Sequence, residues 1–191
     1  HNKNKELSPI LKKSECNIDS DLELIIPSNY IENVNERLYT YKKLSEFKSE
    51  EKLNIKIKEL IDRFGKIPIQ LNNLIESIKL KWDAEVAGIN KLIIKNEKMI
   101  IMLPDKEEKN FYKSRKFEKI LNVINNNPDL FFIKEKNNKL NIYVNKKINT
   151  IDLAKNIIFK FAKWKSAFSQ KLTLLVAKSI EKCPFWRKVH N

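Results

Sequence analysis

Three ionic side chains, Glu59, Asp62 and Arg63, have the types and spacing that best fit a functional site in this chain. Their i, i+3 and i+4 spacing places them on one face of a helix, and Ile55 lies one turn earlier on that face. An apolar residue among two acids and an arginine is typical of a protein–protein interface, since arginine forks onto carboxylates. The four residues also fit a solvated face with a Glu59–Arg63 pair worth about 0.3–0.5 kcal/mol, and residue types alone favour this second interpretation.

Groups for catalysis or metal binding are scarce. The histidines, His1 and His190, lie at the two ends of the chain, and Cys16 and Cys183 are far apart in sequence. They supply neither a mid-chain general base nor a four-ligand zinc site. With only 2 glycines, the chain has no glycine-rich phosphate-binding loop. We therefore expect a domain that is not an enzyme by itself and binds no cofactor or metal.

The positive charge is concentrated in the second half of the chain. The net charge is +14, and residues 91–191 carry 23 basic and 9 acidic side chains. A basic half suggests a nucleic-acid footprint. Only 4 of the 38 basic residues are arginines, however, and phosphate and base readers favour arginine forks. A lysine-rich nucleic-acid-binding domain is the alternative function, favoured if the lysines cluster on one surface and disfavoured if they scatter.

Helical periodicity predicts the elements that position the candidate site. A first helix follows Ser28, and a second begins at Ser49 and ends at Gly65, which suits the left-handed residue after a helix. The predicted core stripe of the second helix is Leu53, Ile57, Leu60, Ile61 and Phe64. A third helix covers residues 69–87, with a predicted stripe of Leu71, Leu74, Ile75, Ile78, Trp82 and Val86.

Alternating apolar runs predict a strand over residues 21–27 and two hairpins that turn at Asn96-Glu97 and Asn137-Asn138. Further helices are predicted over residues 107–125, from residue 150, and over 168–181. The expected fold class is α+β, with helices packed with antiparallel β-hairpins in a single domain.

The predicted division is a linker or flexible end over residues 1–20, the domain over 21–182 and a tail over 183–191. No apolar run reaches about 18 residues, so no membrane span is expected.

Two segments resemble the C-terminal domain of the bacterial transcription-repair coupling factor. In residues 21–44 the family pattern P-x-x-Y/F-I followed by R-L-x-x-Y-K falls on Pro27, Tyr30, Ile31, Arg37, Leu38, Tyr41 and Lys42. In residues 58–68 the pattern E-L-x-D-R-F-G-x-x-P falls on Glu59, Leu60, Asp62, Arg63, Phe64, Gly65 and Pro68. The resemblance covers about residues 21–105, and beyond them it depends mainly on the order of the elements.

This resemblance implies a regulatory, autoinhibitory domain. The family protein is a DNA translocase that removes stalled RNA polymerase and recruits excision repair, with its ATPase motor elsewhere in a long polypeptide. Its terminal domain docks in cis on the UvrA-binding module and masks it until the protein translocates on DNA. Glu59, Asp62 and Arg63 match the family's positions for that contact, whereas Ile55 comes from helix geometry alone. The resemblance thus implies an intramolecular partner, and a parent protein that acts with RNA polymerase, UvrA and DNA in the cytoplasm.

Overall fold

The helices of this domain lie on either side of a central helix. The structure, a computed structural model, describes residues 15–136 and 138–162. The helices in these residues are α1 Val34–Glu46, α2 Glu50–Phe64, α3 Ile69–Ala87, α4 Lys109–Tyr112, α5 Arg115–Asn125 and α6 Ile151–Ala162. The predicted helix over residues 168–181 and the predicted tail over 183–191 lie outside the described residues.

Five strands of the described residues form one mixed sheet. They are β1 Asn17–Ser20, β2 Lys91–Lys95, β3 Lys98–Asp105, β4 Phe131–Lys136 and β5 Lys139–Val144. The strand order is β1-β2-β3-β5-β4, with β1 parallel to β2 and the other neighbours antiparallel. The predicted α+β class with antiparallel hairpins is confirmed, and a parallel strand extends the sheet at one edge.

The first strand lies earlier than the sequence predicts. It covers Asn17–Ser20, inside the segment predicted as a linker, and residues 21–27 contain no strand. These residues pass from the sheet to the helices, since Leu22 packs near the sheet and Ile26 is buried among the helices. The Ile26 amide donates to the Tyr41 hydroxyl at 2.6 Å. The apolar alternation that predicted a strand therefore reflects a connecting segment that buries one side chain against the sheet and another among the helices.

The first hairpin turns where the sequence predicts. Asn96 and Glu97 have φ values of 52° and 59°, as a two-residue type I′ turn requires. In the second hairpin Asn138 has a φ of 60°, and residue 137 lies outside the described residues. Residues 107–125 form two helices instead of one, because Ser114 caps α5 by accepting a hydrogen bond from the Phe117 amide.

The described residues build two hydrophobic cores. The sheet core lies between one face of the sheet and the helices α3, α5 and α6. The helical core lies among α1, α2 and α3, and its buried residues are Ile26, Ile31, Leu44, Leu53, Leu60, Leu71 and Ile75. Helix α3 is therefore shared by both cores, which fixes the α1–α2 layer relative to the sheet.

Helix α3 has two apolar faces, where the sequence predicts one stripe. Leu80, Ala84 and Ala87 are buried in the sheet core, on the side of the helix opposite the predicted stripe. Val86, predicted in the stripe, is 61% exposed. Two of the three residues on the second face are alanines, which let the sheet approach the helix closely but add little to an apolar stripe in the sequence.

Candidate functional site

Helix α2 is fixed mainly at its C-terminal end, since the Ser49 side chain makes no cap hydrogen bond. Ser49 occupies the N-cap position, and Glu50 and Glu51 lie in the first turn, where the helix dipole favours acids. At the other end Gly65 has a φ of +81°, and its amide donates to the Ile61 carbonyl. The Tyr30 hydroxyl lies 3.1 Å from the carbonyl oxygens of both Leu60 and Gly65. The last turn, which carries Asp62 and Arg63, is thus fixed by the Gly65 amide and the Tyr30 hydroxyl.

One side of α2 is buried in the helical core. Leu53 and Leu60 are buried, and Ile57 and Phe64 are half-buried. Ile61, predicted in the core stripe, is instead 46% exposed, because it lies at the edge of the buried sector. Lys56 takes a place in this sector between Leu53 and Leu60 and is only 8% exposed.

The candidate residues lie on the exposed side of α2. Ile55 is 62% exposed, and the side chains of Glu59 and Arg63 are 46% and 50% exposed. Asp62 is exposed as well. The structure therefore brings the four residues to one accessible helix surface, which we call the α2 surface.

Two of the candidates belong to a chain of ion pairs that joins α1 to α2. The Lys56 ammonium lies 2.7 Å from Glu59, and the Arg63 guanidinium lies 4.0 Å from the same carboxylate. Arg63 also contacts Glu36 of α1 at 2.5 Å and lies 4.9 Å from the Phe64 ring centroid. Arg63 is thus held in one orientation by contacts with both helices.

Asp62 differs from its neighbours. It makes no ion pair with any residue that the structure describes, although Glu59 and Arg63 are paired within the domain. This exposed carboxylate, on the same side of α2 as Ile55, is available to a cation on another surface. The α2 surface therefore combines one free acid, one apolar side chain and one preoriented arginine.

Sequence reasoning missed Glu36 and Lys56. Glu36 lies 27 residues from Arg63, and no local spacing signals such a long-range pair. Lys56 had a usable signal, because its position three residues after Leu53 and four before Leu60 places it on the buried sector.

Other chemical groups do not assemble into a second site of this kind. Within residues 15–136 and 138–162 there is no group of three or more His, Cys, Asp or Glu residues that could hold a metal ion. Cys16 is buried in the sheet core, and burial, with the nearby Glu85 carboxylate, raises the pKa of its thiol to about 12. No helix among the described residues is long and apolar enough to cross a membrane.

A family model, that of the TRCF domain, matches residues 20–114, which include α1, α2 and the α2 surface. The chain belongs to the TRCF-domain family. The match extends from the end of β1 to the turn before α5, so it includes the helical core and the first hairpin of the sheet.

Curated relatives and a solved structure agree with this assignment. The chain is 34% identical over 119 residues to the transcription-repair-coupling factor of Buchnera aphidicola, covering 62% of this chain and 14% of that protein. It is 30% identical over 153 residues to the protein of the same name from Borreliella burgdorferi, covering 73% and 13%. A crystal structure of the C-terminal domain of transcription-repair coupling factor matches with a TM-score of 0.60 at 20% identity, covering 78% of this chain and 90% of that one. The chain thus has the fold of that C-terminal domain and spans less than a sixth of either relative's length.

Proposed function

We propose that this chain is the regulatory, autoinhibitory domain of a transcription-repair coupling factor and docks in cis on the UvrA-binding module of the same polypeptide. The α2 surface, formed by Ile55, Glu59, Asp62 and Arg63, makes the contact. In this proposal the domain is non-catalytic, and the parent protein acts with RNA polymerase, UvrA and DNA in the cytoplasm. The domain masks the UvrA-binding module until translocation on DNA separates the two.

The observation that carries the proposal is that the carboxylate of Asp62, which is unpaired among the described residues, and the 62%-exposed Ile55 lie on the same exposed side of α2, about two turns apart. Ion pairs across a surface give specificity, and an apolar contact next to them adds affinity. Arg63 is preoriented by Glu36, so less conformational entropy is lost when it meets a partner carboxylate.

A modest intrinsic affinity is sufficient for masking. Two modules of one polypeptide meet at an effective concentration that reaches the millimolar range for short linkers. A contact of this strength still opens when another interaction favours the separated arrangement, because that interaction shifts the equilibrium between the docked and separated arrangements. The proposal therefore needs only a small surface, such as one helix face.

A titration tests the contact directly. The 191-residue chain is titrated against the UvrA-binding module of its parent by isothermal calorimetry, as wild type and as Asp62→Arg, Arg63→Glu and Ile55→Ala. The expected result is at least a tenfold loss of affinity for the Asp62→Arg/Arg63→Glu double variant, since each reversal places like charges together.

Glu118→Arg is a matched control. It reverses an exposed acid on α5, which packs in the sheet core and not in the helical core, and Glu118 makes no ion pair among the described residues. The control is expected to bind like wild type. Equal affinity of wild type and the α2 double variant would remove the α2 surface from the proposal.

A further inference from the structure

The sheet has an outer face that neither core covers. Inward residues such as Leu92, Ile101 and Ile142 belong to the sheet core. Because side chains alternate along a strand, the residues between them point to the other side. The strand register aligns four of these in one row across β2, β3, β5 and β4: Ile93, Ile100, Tyr143 and Phe132. None of the four packs in either core of the described residues.

Two aromatic rings form the edge of this outer sheet face. The Tyr143 and Phe132 ring centroids are 5.1 Å apart, and their planes differ by 7°. The Lys134 ammonium lies over both rings, 5.3 Å from the Phe132 centroid and 5.7 Å from the Tyr143 centroid. Nearly parallel planes with centroids this close mean that the two rings stack on each other, so each ring covers part of one face of the other. Phe132 is 42% exposed.

Lysines surround the row of Ile93, Ile100, Tyr143 and Phe132. Strand alternation and register place six on the outer sheet face: Lys91, Lys95, Lys98, Lys134, Lys136 and Lys139. Asp19 pairs with Lys91 and Lys95, and Asp105 pairs with Lys139. The other three lysines make no ion pair with any residue in the described part of the chain. The face therefore has an excess of positive charge next to the exposed Phe132 ring.

A buried polar group lies in the same area. Asn141 is 4% exposed, and its Oδ1 has no hydrogen-bond partner within the described residues. In the register it lies between Met102 of β3 and Lys134 of β4. A buried acceptor without a donor is costly, and the amino group of a base is a donor of the required kind.

We propose that the outer sheet face binds single-stranded nucleic acid, with an unpaired base stacked on the exposed Phe132 ring, which Tyr143 supports from its other side, and phosphates bound by Lys98, Lys134 and Lys136. The charge excludes a basic partner, and an exposed aromatic ring favours a planar base over the side chains of an acidic peptide. The row spans three interstrand spacings of about 4.8 Å, or about 14 Å, which gives a short stretch of single strand room to lie across the sheet.

This proposal is independent of the docking proposal. The outer sheet face is formed by β2 to β5, whereas the α2 surface belongs to the helical core. Loss of one activity therefore leaves the other measurable in the same protein.

Fluorescence anisotropy of the 191-residue chain with labelled oligothymidylate of about 12 nucleotides tests the proposal. Three phosphate contacts predict that log affinity falls with log salt with a slope near −2, since each contributes about −0.7 on single strands. Phe132→Ala and Phe132→Leu should each weaken binding at least about fivefold, because an aliphatic side chain keeps no ring to stack on. Lys134→Gln/Lys136→Gln should flatten the salt slope.

Lys109→Gln/Lys113→Gln is the matched control, since it removes the same charge from exposed residues at α4, away from the sheet. It should change affinity less than twofold, and circular dichroism should show that all variants remain folded. Absence of salt-dependent binding overturns the proposal. The proposal is also overturned if both Phe132 variants bind with wild-type affinity, or if the two lysine double variants lose affinity equally. Displacement of the oligonucleotide by polyglutamate at equal residue concentration would overturn it too, because it would identify a surface for acidic protein.

Discussion

Reversing Asp62 and reversing Arg63 should affect the fold differently, although both should weaken docking. Asp62 is exposed and makes no ion pair within the described residues, so Asp62→Arg should change the free energy of unfolding by no more than about 0.5 kcal/mol. Arg63 joins α2 to Glu36 of α1, and the two side chains are 50% and 30% exposed. A pair exposed to this degree contributes about 0.2–1 kcal/mol.

Arg63→Glu does more than remove this pair. The new carboxylate would lie near Glu36 and Glu59, which now accept the arginine, and like charges at such spacing destabilise by a similar amount to the lost pair. We therefore expect a total loss of about 1–2 kcal/mol, with part of it recovered in the swapped variant Glu36→Arg/Arg63→Glu, in which the repulsion from Glu59 remains.

Urea unfolding followed by circular dichroism measures these differences. If Asp62→Arg were as destabilising as Arg63→Glu, Asp62 would have a structural partner and would not be free for docking. If the swap recovered nothing, the α1–α2 ion pair would not explain the cost at Arg63.

Three further outcomes follow from the described contacts. Gly65→Ala should destabilise the fold by about 1–3 kcal/mol through backbone strain alone, since φ is +81° and no atom lies within 4 Å of an added Cβ. Gly88→Ala should destabilise it more, because its added Cβ would lie 2.7 Å from the Phe111 side chain. Thermal unfolding of the two variants compares these costs. Burial tends to raise the pKa of Glu76, but hydrogen bonds from Lys155 and Lys79 outweigh it and lower the pKa. The ionised carboxylate therefore adds stability above about pH 4.5, and this stability is lost as the pH falls. The free energy of unfolding, measured as a function of pH, should fall less on acidification in Glu76→Gln than in the wild type. In a Cys183→Ser background, Cys16 should react with iodoacetamide at pH 8 at least a hundredfold more slowly in the native protein than in urea, because burial raises its pKa from 9.0 to about 12.

Each of these outcomes can fail. Equal costs at the two glycines would mean that the Phe111 side chain moves aside freely. The same acid dependence in wild type and Glu76→Gln would mean that the Glu76 ion pairs do not persist in solution. Rapid alkylation of native Cys16 would show that β1 separates readily from the sheet.

The sequence predicted elements whose cause is local. The type I′ turn begins at Asn96 and α2 ends at Gly65, and asparagine and glycine accept positive φ more readily than other residues, so both signals are visible in the sequence. The exposure of Ile55 and Asp62 also followed from the helical period.

Features that depend on two segments meeting were not predictable from one of them. The parallel strand β1 exists because β2, more than 70 residues later, offers it an edge. Residues 21–27 alternate as a strand does, yet they connect two cores whose positions no local pattern reveals. The ion pair of Arg63 with Glu36 has the same origin, so the sequence places the four candidates on one helix side but does not reveal the contact that orients Arg63.

The affinity of the full-length parent protein for UvrA tests the central claim most directly. With Asp62→Arg/Arg63→Glu the mask should open, and UvrA should bind at least tenfold more tightly than it binds the resting wild type, while Glu118→Arg should have no effect. Unchanged UvrA affinity in the double variant, with the fold intact, would contradict masking through the α2 surface.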